Sequence, residues 1–466
     1  MFKAIFTNSF GILFSRILGF FRDLMTASAL GAGVFSDIFF VAFKLPNLFR
    51  RIFAEGAFTQ AFIPAYAHSN NKSAFSAHIF LIFLSIILVI TLLVNILPSL
   101  ATQAIAVGFD EKTVAIASPF VAINFWYLPL IFGVTFLSAM LQYKRHFATT
   151  AFSTALLNIS LILALYFSAE KSHAEIVYYL SFGVVIGGLL QLLSHVIAIR
   201  QLGLLKPLCS GFKHLGTKAD KIKEESQKFK KQFFPAIWGN STPQVSAFLD
   251  TFLASFLATG SISYLYYANR IFQLPLALFA IATSIALFPS IARYIKNNDE
   301  TKARLYMEKA FWFLAYLLSA STIGGYILAH EIIWLLFERG SFNAIDTINS
   351  AFVLQMYMIG LLPLGLQKLF LLWLYANEQQ MRAAKIATFS LLFYIVFALT
   401  LITPMGAAGL ALAGTIGGFV GFVLTIKAFG VKNFFSILAS KKVLYLIAGS
   451  ILFTIFLIVL KSFIDI

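Results

Sequence analysis

Apolar residues run through this chain in long blocks separated by short polar segments. Thirteen windows are long and apolar enough to cross a hydrocarbon core of roughly 30 Å: 9–28, 36–66, 79–100, 117–142, 148–168, 176–199, 233–257, 262–292, 309–329, 350–375, 384–403, 407–427 and 443–461. The second and eighth are long enough to extend beyond a bilayer or to tilt strongly. In lipid every peptide group must find its hydrogen bond inside the protein, and helices do this within one segment. The pattern therefore predicts an all-α integral membrane protein.

Composition agrees. Of 466 residues 60% are hydrophobic and only 12% charged, the mean hydropathy is +0.86, and phenylalanine alone accounts for 53 positions. A soluble domain would carry roughly a quarter charged residues. The net charge of +16 would suggest nucleic acid in a soluble protein. In a membrane protein Lys and Arg instead collect in cytoplasmic loops. With the N-terminus in the cytoplasm and the windows alternating, twenty-four of the 35 Lys and Arg fall in cytoplasmic loops and helix ends, and four fall outside (Lys112, Lys171, Arg339 and Lys461). That bias fixes the expected orientation and leaves no reason to invoke nucleic acid. The N-terminus resembles a cleavable signal, but Arg16, Arg22 and Asp23 interrupt what would be its apolar core, so 9–28 is read as a retained helix. The single cysteine, Cys209, excludes an internal disulfide and any cysteine-rich metal site.

The segment 200–232 is rich in lysine and reads as a cytoplasmic linker. It separates six windows from the next six, and an even number gives both halves the same orientation. The expected architecture is two six-helix bundles in parallel pseudo-repeat, 1–199 and 233–428, followed by an extra helix within 429–466. That makes about 13 transmembrane helices, or 14 if one more is hidden.

Seven basic residues remain inside the windows: Arg16, Arg22, Lys44, Arg50, Arg51, Arg270 and Lys368. The acids there are Asp23, Asp37, Glu55 and Asp250. A charge near the bilayer centre costs at least about 2.5–3.5 kcal/mol. Arg51 and Glu55 could pair along one helix face, and Lys44 or Lys368 could reach toward the interface. Such devices do not cover the set, because cations outnumber anions by about three. The remaining reading is a hydrated cavity that binds an anion. Arg16 and Arg22 lie about 120° apart around a helix and about 9 Å along it, which suits a wide cavity. Asp37, Lys44 and Arg51 recur every seven residues, on one face if Pro46 does not shift the phase. Arginine suits bidentate contact with phosphate oxygens, and a pyrophosphate has the right charge and size. Asp250 stands apart: it either holds a coupling cation or proton, or bonds a neighbouring Ser or Thr. No HExxH helix, C-x-x-C pair or true phosphate loop is present; Gly211 to Lys218 lacks the required ending, so no ATPase or metal cofactor is expected.

The segments Arg16-Ile-Leu-Gly19-Phe-Phe-Arg22-Asp23 and Asp37-Ile-Phe-Phe-Val-Ala-Phe-Lys44-Leu-Pro46-Asn47-Leu-Phe-Arg50-Arg51-Ile-Phe-Ala-Glu55-Gly56-Ala57 resemble the MurJ/MviN lipid II flippases. So do Tyr266-Tyr267-Ala268-Asn269-Arg270, Leu335-Leu-Phe-Glu-Arg339-Gly340 and Gly409-Leu-Ala-Leu-Ala413. The resemblance implies a MOP-superfamily fold and alternating access that carries lipid II, an undecaprenyl-pyrophosphate-linked disaccharide-pentapeptide, to the periplasmic leaflet for peptidoglycan synthesis. It makes Arg22, Arg50 and Arg270, with Arg16 and Arg51, the candidate substrate-binding residues. Asp37, Lys44, Asn47, Glu55 and Gln273 become candidate polar residues of the cavity or its gates, and Asp250 a candidate cation or proton site. Membrane lipids and cell-wall synthesis proteins are the other implied partners. Some relatives form a sodium site from an Asp in the seventh helix and Asn and Asp in the eleventh. Here 384–403 contains neither, and Thr415 is the nearest remnant. Coupling to membrane potential or protons is then favoured over sodium. The alternatives are an exporter of another polyprenyl-pyrophosphate-linked oligosaccharide or, less in keeping with a basic cavity, a drug exporter.

Overall fold

A computed structural model describes residues 2–50, 57–213, 215 and 219–464. Contacts divide the chain into two compact units, Met1–Phe256 and Leu257–Ile466. The described residues are mostly helical, including twenty α-helices and the π-helical segment named below, with no strand among them. Among the described residues eight helical runs, counting 111–143 and 261–296 as one each, are long and apolar enough to span a membrane, or nine if the bent pair at Gly360 is one span. The chain is a multi-pass helical membrane protein.

Unit 1 contains α1 (Phe2–Leu30), α2 (Val34–Phe49), α3 (Phe58–His68), α4 (Lys72–Ile96), α5 (Pro98–Ile105), α6 (Glu111–Phe125), α7 (Tyr127–Tyr143), α8 (Ala148–Phe167), α9 (His173–Gln201), α10 (Leu205–Lys213) and α11 (Ala219–Ala254). Helices α8 and α9 approach closely because α9 presents glycines. A Cβ on Gly187 would lie 2.7 Å from a methyl carbon of Leu157 and 3.0 Å from its Cα. Close backbone approach of this kind replaces the hydrophobic drive that helices lack in lipid. Polar side chains then stitch the same helices. Gln191 donates to the Ser153 carbonyl at 3.0 Å and accepts from Tyr127 at 3.1 Å, and Ser160 donates to the Gly183 carbonyl at 2.7 Å.

A cluster of phenylalanines joins α3, α4, α7 and α11. Phe58 and Phe62 stack at 5.2 Å, Phe62 meets Phe136 at 5.3 Å, and Phe83 meets Phe233 edge-on at 5.1 Å. Such pairs add to simple burial. They also anchor the basic stretch: Phe229 of α11 is fully buried, and Glu225 accepts from the Ser69 hydroxyl at 2.7 Å. Residues 200–232, read above as a linker, are helical over most of their described length and pack within unit 1.

Unit 2 contains α12 (Ser261–Pro275), a π-helical segment (Leu276–Ile281), α13 (Ala282–Lys296), α14 (Glu300–Ile327), α15 (Ala329–Phe337), α16 (Ala344–Ile359), α17 (Leu361–Ala376), α18 (Gln380–Phe429), α19 (Val431–Leu438) and α20 (Lys442–Ile464). Several windows expected as single helices are interrupted among the described residues. The window 117–142 holds α6 and α7, divided at Trp126. The window 350–375 holds α16 and α17, bent by 41° at Gly360. In the window 36–66 the structure describes α2 and α3, and residues 51–56 between them lie outside the described residues. Conversely, 384–403 and 407–427 run together as α18, interrupted at Gly406, whose φ of 57° and ψ of −132° only glycine adopts readily. α20 packs mainly on α14 and is clamped near both ends. Tyr316 donates to the Lys442 carbonyl at 3.0 Å; Lys461 meets Glu331 at 2.9 Å and the Ile327 carbonyl at 3.1 Å.

Candidate functional site

The intramembrane charges of unit 1 are held by α1, α2, α8 and α11. On α1 the Arg22 guanidinium donates through Nε and Nη2 to Oδ1 of Asp23, at 3.1 and 2.5 Å, and through Nη1 to Oδ1 of Asn158 at 2.9 Å. Asn158, on α8, passes the chain on by donating to the Ser15 carbonyl at 2.9 Å. The side chains of Arg22 and Asp23 are only 11% and 3% exposed. Gly19 makes room for this network, since a Cβ there would come within 3.3 Å of the Asn158 amide nitrogen. A buried cation is tolerable when its donors are committed in this way. Arg16 is exposed, six residues back along the same helix.

On α2 the geometry follows helix chemistry. Asp37 is buried in the first turn, where its charge meets the positive end of the helix dipole. Lys44 is half-buried, Pro46 lies inside the helix, and Arg50 donates from Nε to Oδ1 of Asn47 at 3.1 Å. Arg51 and Glu55 lie outside the described residues. Asp250 is half-buried one turn before the end of α11; the neighbouring Thr251 hydroxyl donates back to the Ala247 carbonyl at 3.4 Å.

In unit 2 Arg270 lies over its own helix. Its guanidinium carbon is 4.8 Å from the centre of the Tyr266 ring, and Nη2 donates to the Tyr266 hydroxyl at 2.6 Å. An aromatic face stabilises a cation by about 0.5–2 kcal/mol without neutralising it. Gln273 is exposed and donates to Asn269 one turn back. Lys368 is exposed on α17, between buried Leu366 and Leu369. Thr415, weighed above as a remnant ion ligand, is buried and donates to the Met356 carbonyl at 2.7 Å, so its hydroxyl fastens α18 to α16.

Within unit 1 the structure thus joins Arg22 to Asp23 and Asn158, and Arg50 to Asn47. Two partners escaped the sequence reading. Asn158 was legible as a lone amide inside the apolar window 148–168, and Tyr266 lay one turn before the arginine it supports.

Residues 26–464 match the family model of the lipid II flippase MurJ. The chain is 51% identical over 426 residues to the probable lipid II flippase MurJ of Helicobacter pylori strain 26695, covering 90% of this chain and 92% of that protein. It is 32% identical over 475 residues to the corresponding protein of Buchnera aphidicola from Acyrthosiphon pisum, covering 98% and 89%. Among solved structures it is similar to a lipid II flippase MurJ in an inward closed conformation, with a TM-score of 0.79 at 24% identity and 98% of both chains covered. An inward-facing multidrug MATE transporter of the MOP superfamily shares the fold at a TM-score of 0.70 and 13% identity, covering 94% and 99%. With the family model spanning almost the whole sequence and relatives this similar, the chain belongs to the lipid II flippase MurJ family.

Proposed function

We propose that the chain moves lipid II from the cytoplasmic to the periplasmic leaflet of a bacterial inner membrane by alternating access, with its N-terminus in the cytoplasm. The observation that carries this reading is the 51% identity over 90% of the chain to a probable lipid II flippase. The excess of cations within the spans supports it physically, because a pyrophosphate-linked lipid presents the matching charge. Arg22, Arg50 and Arg270, with Arg16 and Arg51, bind that pyrophosphate, while the polyprenyl tail stays in lipid. Asp37, Lys44, Asn47, Glu55 and Gln273 shape the cavity or its gates, and Asp250 takes a proton or cation. No cofactor is required. A negative-inside potential returns the net-positive empty site toward the cytoplasm, contributing about 2.3 kcal/mol per charge moved through 100 mV.

The test is lipid II exposure at the periplasmic face of cells depleted of their own flippase. The parent is compared with Arg22→Ala, Arg50→Ala and Arg270→Ala at matched membrane levels. Exposure with the parent and its loss in the three variants is the expected result. No exposure with a well-inserted parent would move the assignment to another polyprenyl-linked sugar.

A further inference from the structure

A cavity of about 670 Å³ opens within unit 1, between the C-terminal end of α3, the turn that follows it and the first half of α11. That volume lies in the range of ligand sites, roughly 300–1,000 Å³. Its walls are fixed by packing. Phe229 of α11 is fully buried, and its ring meets Phe58 of α3 at 5.9 Å and Phe75 of α4 at 6.5 Å. One turn earlier the Glu225 carboxylate crosses to the α3–α4 turn. There it accepts from the Ser69 hydroxyl at 2.7 Å and from the Asn70 backbone N–H at 3.2 Å. The opening between the helices is therefore built into the fold of unit 1.

The charges around the cavity are committed to one another or to the turn. Glu224 and Lys228 pair at 2.8 Å, and Glu225 is held as described. What the cavity presents beyond them is neutral. The side-chain amides of Asn70 and Gln232 are exposed and have no partner among the described residues. His68 donates from Nδ1 to the Pro64 carbonyl at 2.8 Å, which leaves Nε2 for another partner. Each amide offers two donors and an acceptor oxygen. Such a lining differs in kind from the arginines of the spans. It suits hydroxyls and amides rather than a phosphate.

Its place in the chain indicates the occupant. The cavity lies at the lysine-rich end of unit 1, which is the cytoplasmic end in the proposed orientation. It also lies beyond Arg50 along the chain, past the proposed pyrophosphate ligands of α1 and α2. A substrate held by its pyrophosphate before transport extends its headgroup toward that end. Sugar hydroxyls and peptide amides are the groups this headgroup carries there.

We infer that the cavity is a subsite for the sugar–peptide headgroup of the lipid-linked substrate, with Asn70, Gln232 and His68 bonding its hydroxyls and amides. The inference rests on the proposed function.

The experiment uses the full chain in phosphatidylcholine nanodiscs. Binding is measured for lipid II, for lipid II without its peptide, and for undecaprenyl pyrophosphate. Asn70→Ala combined with Gln232→Ala removes both amides. This double variant is expected to bind lipid II about tenfold more weakly and undecaprenyl pyrophosphate as the parent does. Its melting temperature without ligand should not fall, since neither amide has a described partner. Ala65→Phe leaves the polar groups in place but fills the cavity, and the same selective loss is expected. Weakening that persists on the peptide-free ligand assigns the contact to the disaccharide; weakening on complete lipid II alone assigns it to the peptide. Parent-like binding of lipid II by the double variant overturns the inference, as does an equal loss on undecaprenyl pyrophosphate. A parent that does not bind lipid II would instead refute the proposed function, so the two failures are distinguishable.

Discussion

The two units handle intramembrane charge differently. In unit 1 Arg22 is woven into helix packing: its bonds reach Asp23 on its own helix and Asn158 on α8, and Asn158 reaches back to the α1 backbone. In unit 2 Arg270 leans on a tyrosine of its own helix, and Lys368 has no partner among the described residues. A cation tied across two helices contributes to fold and function together. One supported by its own helix is separable from the fold. Substitutions that break the Arg22–Asn158 link should therefore lower stability and transport in parallel, whereas loss of the Tyr266 hydroxyl beside Arg270 should lower transport more than stability.

The largest effect is expected for Asn158→Leu. It removes the amide that joins α1 to α8, and hydrogen bonds to charged groups contribute about 1.5–3 kcal/mol each. The melting temperature should fall by several degrees and lipid II exposure by more than about tenfold. Unchanged stability would break the comparison. Next comes Tyr266→Phe, which keeps the ring beneath Arg270 but deletes its hydroxyl. Exposure should drop about threefold with no change in melting temperature; a loss of stability would show that Arg270 is structural as well.

A smaller effect is expected at the edge of unit 2. Lys461→Met removes the contacts with Glu331 and the Ile327 carbonyl that pin one end of α20. Ion pairs this exposed are worth about 1 kcal/mol or less. Faster hydrogen exchange in the last turns of α20, with α14 unaffected, is the expected readout. The smallest effect tests a device the units share. Asp110 caps α6 and Asp299 caps α14, each accepting a backbone N–H at 3.1 Å. Thr113 holds the Asp110 carboxyl below its usual range, and Lys302 does the same for Asp299. A carboxylate lowered in the folded state contributes stability at neutral pH that is lost as pH falls through its folded value. Both first turns should fray in acid, below the usual carboxylate range. Salt should weaken the Asp299 cap more, because it includes an ion pair at 2.8 Å. Equal salt sensitivity at both caps would remove that distinction.

Most spans were legible because lipid imposes one rule on every window: about 20 apolar residues, all bonded internally. The windows 148–168 and 443–461 coincide closely with α8 and α20. Breaks were less visible. Trp126 and Gly360 interrupt runs that remain apolar throughout, so hydropathy passes over them unchanged. Short helices such as α5 and α15 are too brief to register as spans. In the candidate site, unpaired cost flagged the cations from sequence alone. Their partners did not follow, because Asn158 meets Arg22 only after 136 residues of intervening chain have folded.

One last consequence concerns the π-helical segment Leu276–Ile281, set between α12 and α13 directly after Pro275. Such a turn accommodates a residue more than an α-helical turn would. Removing one residue there would restore ordinary winding and rotate everything above it by about 100° relative to everything below. Arg270 sits above the segment and Pro289 below it. The compass bearing of that arginine is thus set by a single surplus residue in an apolar stretch, which no catalogue of polar side chains would single out.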